Sequence, residues 1–211
     1  MPTPIPHPAK PQFPTWLRVI ALLWLAAWIP IYWYIWGASS FLLLCDIAVL
    51  LTCIGVWTNS PLLISSQAVS SLVVDSFWII DVAWMLAAHR HVLGGTEYFF
   101  DSHYPLWVRS ISLFHVVLPV ALILALRRVG YDPRGFRLQA CIAAAVIIAS
   151  RFAGAGRNIN FAFTDPFLRR SIGPAPVHVA FIIAVLVGAI YFPTHLLLSR
   201  IFRRAHSGEN K

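Results

Sequence analysis

Apolar residues in this chain come in long blocks separated by short polar or proline-containing breaks, instead of alternating at the spacing of a strand or of a surface helix. Blocks near 17–36, 40–58, 62–88, 107–127, 138–155 and 177–199 approach or reach the roughly 20 residues that a helix needs to cross the hydrocarbon core. The pattern predicts an all-α protein, a polytopic transmembrane helix bundle of about six spans. The breaks at 37–40 and 59–61 are so short that neighbouring helices must run antiparallel, which makes helices one to three a compact unit. Two longer connections, 89–106 and 154–176, fall on one side of such a bundle, where function-bearing loops are expected.

Residues 1–15 hold Pro2, Pro4, Pro6, Pro8, Pro11 and Pro14, a spacing that favours extended chain and excludes helix. The expected organisation is therefore a proline-rich cytoplasmic leader over 1–15, one six-helix transmembrane domain over 16–204 and a short polar tail over 205–211. The first block is long, carries Trp24, Trp28, Trp33 and Trp36, and follows prolines instead of lysines. It reads as a retained span and not as a cleaved signal.

Composition agrees with a lipid environment. Hydrophobic residues make up 59% of the chain and charged residues 11%, with a mean hydropathy of +0.73, whereas soluble domains are about a quarter charged. The net charge of +8 does not point to nucleic acid, because the basic residues sit at block ends and not along one helix face. Lys10, Arg18, Arg127, Arg128, Arg134, Arg137, Arg200, Arg203, Arg204 and Lys211 share the side of the termini, against Arg90, Arg109, Arg151, Arg157, Arg169 and Arg170 opposite. That bias predicts cytoplasmic termini, with membrane lipids as the partner; no pattern speaks to oligomeric state. Cys45, Cys53 and Cys141 all fall inside blocks, which argues against a disulfide framework.

Asp46, Asp75, Asp81, His115 and His195 are ionisable groups within predicted spans, each costing about 2.5 to 3.5 kcal/mol or more to insert. Counting from the block ends puts Cys45, Asp46, Asp81 and His115 at one level, roughly 8 to 12 Å below the surface that carries the long loops. On the third block Gln67, Ser71, Asp75 and Trp78 form one stripe, and Ser70, Phe77, Asp81 and Trp84 another. The polar groups either hold helices together or form a reaction site, with Cys45 as nucleophile, His115 as base and Asp46 or Asp81 orienting the imidazole. A third reading is a proton or solute site without catalysis.

Two loops add candidates. His89, His91, Glu97, Asp101 and His103 are acceptable ligand types for zinc or iron, although their spacing matches no established signature; His89, His91 and His103 are the metal candidates of a hydrolase reading. Arg157 offers a clamp for a phosphate headgroup, and Asn158 and Asn160 offer amide donors to a carbonyl or oxyanion. Glu97 and Asp101 complete the candidate substrate-binding set. No cofactor is expected.

Leu44-Cys45-Asp46-Ile47-Ala48, Leu113-Phe114-His115-Val116-Val117-Leu118-Pro119 and Asn158-Ile159-Asn160-Phe161 together resemble the YwaF-like integral membrane proteins, over about residues 40–165. The chain is also similar to uncharacterised bacterial membrane-associated proteins, which implies a bacterial cytoplasmic membrane. The YwaF-like group includes an ether-lipid acyltransferase with a proposed cysteine–histidine pair, so the resemblance implies a lipid or acyl-group function with Cys45 as nucleophile and His115 as base. The chain departs from the family pattern at Phe41-Leu-Leu-Leu44, where a histidine often precedes the cysteine, and at Phe161, which stands for a tyrosine.

Overall fold

Helix boundaries fall where the chain supplies a stop or a start. The first helix follows Pro14 and ends at Gly37, whose φ of 75° only glycine adopts readily. Asn59 and His89 close the second and third helices in the left-handed region, an arrangement common just past helix C-termini. Ser60 caps the third helix by accepting a hydrogen bond from the Leu63 amide, with Pro61 at its first position.

The computed structural model describes residues 12–92 and 94–202. It contains α1 (Thr15–Trp36), α2 (Leu44–Thr58), α3 (Pro61–Ala88), α4 (Glu97–Phe100), α5 (Leu106–Ile111), α6 (Phe114–Val129), α7 (Arg134–Ser150), α8 (Ala175–Val185) and α9 (Phe192–Ile201). A π-helical segment, Leu186–Tyr191, joins α8 to α9. No strand occurs among the described residues, so the all-α expectation holds. Residues 1–11 of the expected leader and the tail over 205–211 lie outside the described residues.

Four stretches are long and apolar enough to cross a membrane: Thr15–Trp36, Pro61–Ala88, Leu106–Val129 and Ala175–Ile201. The other two predicted spans are shorter than their hydrophobic blocks. Within 40–58 the chain first makes a 3-10 turn, Ala38–Leu42, and is extended at Leu43, so α2 has only 15 residues, about 22 Å. The block predicted at 138–155 begins earlier, behind Pro133, and stops at Ser150, giving 17 residues, about 25 Å against a core of about 30 Å.

Helix α3 is the centre of the bundle and packs against α2, α6 and α7, and more lightly against α9. Its buried face is largely polar, with Ser65, Ser66, Gln67, Ser70, Ser71, Asp75 and Asp81 inside. The perimeter is apolar, with Leu23, Trp33, Val117, Leu124 and Leu197 exposed. Polar inside and apolar outside is the arrangement that lipid solvent favours, since buried polar groups find partners only within the bundle. At the α3–α7 contact, Gly135 lies so close to α3 that a Cβ there would come within 2.7 Å of the Ser65 Cβ.

The chain reverses at each connection, which defines two ends. At the loop end, Asn160 accepts a hydrogen bond from the Leu44 amide and Arg157 donates to the Trp36 carbonyl. At the turn end, Phe13 donates to Asn59, Arg128 donates to the Gln12 carbonyl and the Tyr131 amide donates to Phe202. Both described ends of the chain therefore lie at the turn end.

Candidate functional site

Because α2 and α3 form a hairpin about Asn59 and Ser60, Asp46 and Asp75 come to nearly the same height, some 13 and 15 residues from the joint, a difference of roughly 3 Å. Both are buried, at 1% and 0% exposure. Asp46 stands in the first turn of α2, where the helix dipole favours an acid, and its Oδ1 lies 3.9 Å from the Cys45 thiol. The charges of Asp46 and Asp75 both act on that thiol, so α2 and α3 place two carboxyls around one cysteine. Asp46 Oδ2 and both Asp75 oxygens lack a hydrogen-bond partner, and no water-sized gap borders them.

His115 is buried at the start of α6. Its Nδ1 donates to the Ser112 carbonyl at 2.8 Å, which leaves Nε2 as the basic nitrogen of the neutral ring. The imidazole stacks on Trp78 with centroids 4.7 Å apart and on Phe114 at 4.1 Å. Trp78 in turn donates its indole N–H to the Tyr98 hydroxyl at 3.0 Å, so α4 closes the cluster from the loop end. Burial pushes the Tyr98 phenol up to about 12, and it remains a neutral hydrogen-bonding group across the physiological range. Tyr32 of α1 faces Asp46, Cys45 and Tyr98, and the Ser112 hydroxyl is within reach of both tyrosines.

Among the sequence candidates, Cys45 and Asp46 approach each other at 3.9 Å, whereas His115 makes its contacts with Ser112, Trp78 and Phe114. Asp81 is not part of the arrangement. Its Oδ1 accepts the amides of Val92 (2.7 Å) and Gly94 (3.3 Å), and its Oδ2 binds His91 Nδ1 (2.8 Å) and the Thr96 hydroxyl. A carboxylate near the end of α3 offers the loop four lone-pair positions, and the loop takes them; Asp81 anchors the loop and does not orient His115.

The proposed headgroup ligands are likewise engaged in structure. Asn160 donates to the Leu42 carbonyl (2.6 Å) and Ser150 (3.0 Å) while accepting from Leu44, so it ties the start of α2 to the end of α7. Asn158 has both amide hydrogens on Thr164 and its carbonyl on the Phe163 and Thr164 amides. Arg157 is held by Trp36 and Ser39, with its charge still acting on Asp46. Glu97 turns back onto the Gly95 amide. Asp101 accepts the His103 amide and Nδ1, donors that hold its carboxyl below the usual carboxylate range at a partly exposed site.

The three loop histidines do not converge. His89 ends α3, His91 is bound to Asp81 and His103 to Asp101, and no group of three His, Cys, Asp or Glu side chains suited to a metal occurs among the described residues. His195, an ionisable group of the last predicted span, bonds the Tyr131 hydroxyl at 2.7 Å and stacks on Phe136.

Asp75 was legible as an intramembrane acid but not as a member of the site, and nothing in the spacing singled out Tyr32, Trp78, Tyr98 or Ser112 as its walls. His178 carried no signal at all. It is fully buried, accepts the Ile172 amide and donates to the Phe161 carbonyl, fastening the last loop to α8. The chain matches no protein-family model, and neither a curated protein nor a solved structure matches it.

Proposed function

We propose that this chain is a six-span protein of a bacterial cytoplasmic membrane, in contact with membrane lipids and with both termini cytoplasmic, whose buried Asp46–Asp75–His115 cluster takes up and releases protons. The observation that carries this reading is the set of orphan carboxyl oxygens on two adjacent helices. Polar groups that serve only as helix glue are bonded to one another; these oxygens are not. A buried carboxyl without a partner is costly in lipid unless it binds a proton or a cation. With no gap beside these oxygens, the proton is the ligand that fits. The six-span topology is supported by the five reversals of the chain, the shared location of its described ends and the bias of basic residues toward that end.

Infrared difference spectroscopy on the reconstituted protein tests the reading. A carboxyl band that responds to pH is expected, with components lost in Asp46→Asn and in Asp75→Asn. If no pH-responsive carboxyl band is assignable to either residue, the cluster is packing and the proposal fails.

Acyl transfer is a second reading, favoured by one observation: the bond from His115 Nδ1 to the Ser112 carbonyl leaves Nε2 as the nitrogen able to act as a base. It requires labelling of Cys45 by a lipid-like thiol-reactive acyl probe that collapses in His115→Ala; labelling indifferent to His115 removes it.

A further inference from the structure

Below the cluster, toward the turn end, α3 carries polar groups that neither reading above uses. Gln67, Ser71 and Asp75 follow at four-residue intervals and therefore share one face, about 6 Å apart along the axis. All three are buried; Gln67 Oε1 and the two Asp75 oxygens lack a well-formed hydrogen bond, and the Ser71 hydroxyl stands between them within reach of Asp75. Gln67 is bonded through its nitrogen to Ser66 and Gln139, and Gln139 reaches Ser70 and the Tyr191 hydroxyl. At the turn end, Ser65 accepts the Asp132 amide, beside the Asp132–Arg134 ion pair.

Helix cohesion explains the bonded members of this file, Gln67 Nε2 with Gln139 and Ser70 with Tyr191. It does not explain a stripe whose two ends, Gln67 Oε1 and the Asp75 carboxyl, lack a well-formed hydrogen bond with one hydroxyl between them, since each such group destabilises a bundle in lipid. A second feature marks the same level. Tyr191, whose hydroxyl enters the file, is the last residue of the π-helical segment Leu186–Tyr191, and π turns inside helices are rare and frequent at functional sites.

We propose that the Gln67–Ser71–Asp75 stripe is a gated proton path linking the buried cluster to the turn end, an inference that rests on the proton-site reading above. In the step that matters, Asp75 gives its proton toward Ser71 and is reprotonated from the Asp46 side. The proton then passes the Gln67–Gln139–Tyr191 level and leaves beside Asp132. The structure holds the path shut, because no water-sized gap borders its orphan atoms; opening requires α7 and the π-helical segment to part from α3 and admit water between groups that are about 6 Å apart. The titratable group on which the Asp75 charge acts is Cys45 of α2, which has Asp46 beside it and Tyr32 and Tyr98 within range.

The test is proton flux into liposomes that contain the full chain and a trapped pH dye, driven by a valinomycin-clamped potassium potential. Wild-type flux is expected to exceed that of protein-free liposomes, to fall at least about tenfold in Asp75→Asn and several-fold in Ser71→Ala. The Ser71 hydroxyl stands within reach of Asp75, so the structural and the relay role are separated by Ser71→Thr, which keeps the hydroxyl and is expected to retain the flux that Ser71→Ala loses at an unchanged thermal transition. Wild-type flux at the protein-free level, or flux indifferent to both substitutions, overturns the path. If the pH-responsive carboxyl band persists in that case, the proton site stands without it; if the band is also missing, both are refuted.

Discussion

Among single residues, the clearest contrast is between amides that are fully bonded and carboxyls that are not. Asn160 places one side chain between Leu42, Leu44 and Ser150, and removing the amide takes these bonds from the Leu42 carbonyl and the Leu44 amide, while Ser150 keeps its bond to the Val146 carbonyl. Asn160→Ala is therefore expected to destabilise the protein by about 2 to 4 kcal/mol, read as a drop in thermal or denaturant midpoint, with the pH-responsive carboxyl band retained. A substitution that abolished that band without a stability cost would instead make Asn160 part of the site. The sequence had offered Asn158, Asn160 and Arg157 as donors to a headgroup, because an amide reads the same when it serves the backbone and when it serves a ligand. Only the identity of the partner separates the two roles, and that partner is supplied by residues about 120 positions away for Asn160 and Arg157.

At the scale of elements, α3 organises everything else. Its stripe of polar residues was visible from the four-residue repeat in the sequence, as was the pairing with α2 through a two-residue joint. The close approach of α7 was not visible, since Gly135 falls in the basic break before the 138–155 block, where a glycine reads as part of a turn. Gly135 lets the start of α7 press against Ser65 and Ser66, where a Cβ would meet backbone atoms at 2.8 and 2.9 Å. Gly135→Ala is expected to cost about 1 to 3 kcal/mol, because the obstruction is main chain and cannot swing aside. Unchanged stability in a melting experiment would mean that α7 is free to shift away from α3. The same contact aligns Gln139 with Gln67, so the substitution also bears on the lower half of the polar file.

For the whole molecule, the arrangement of the two ends makes a prediction about sidedness. In a cysteine-free background, Ser60→Cys and Arg170→Cys are expected to react with impermeant maleimide from opposite faces of the membrane, with Ser60→Cys on the face of the termini. Labelling of both from one face would refute the six-span topology. The sequence by itself determined the all-helical class, the four long apolar helices, the hairpin of α2 and α3 and the burial of Asp46, Asp75 and His115, because hydrophobic block length and four-residue spacing are local properties that lipid solvent enforces directly. It did not determine that α2 and α7 fall short of their blocks, which depends on the extended residue at Leu43 and on where the last loop crosses. Nor could it decide whether Asp81, offered with Asp46 as the acid of the site, is available to it. Asp81 and Asp75 both lie on the inner side of α3, and the choice between them was made by the 91–96 loop, which folds back to occupy Asp81 and leaves Asp75 as the acid facing α2. Partner selection of that kind is a competition between groups distant in sequence, and only the packed tertiary structure decides it.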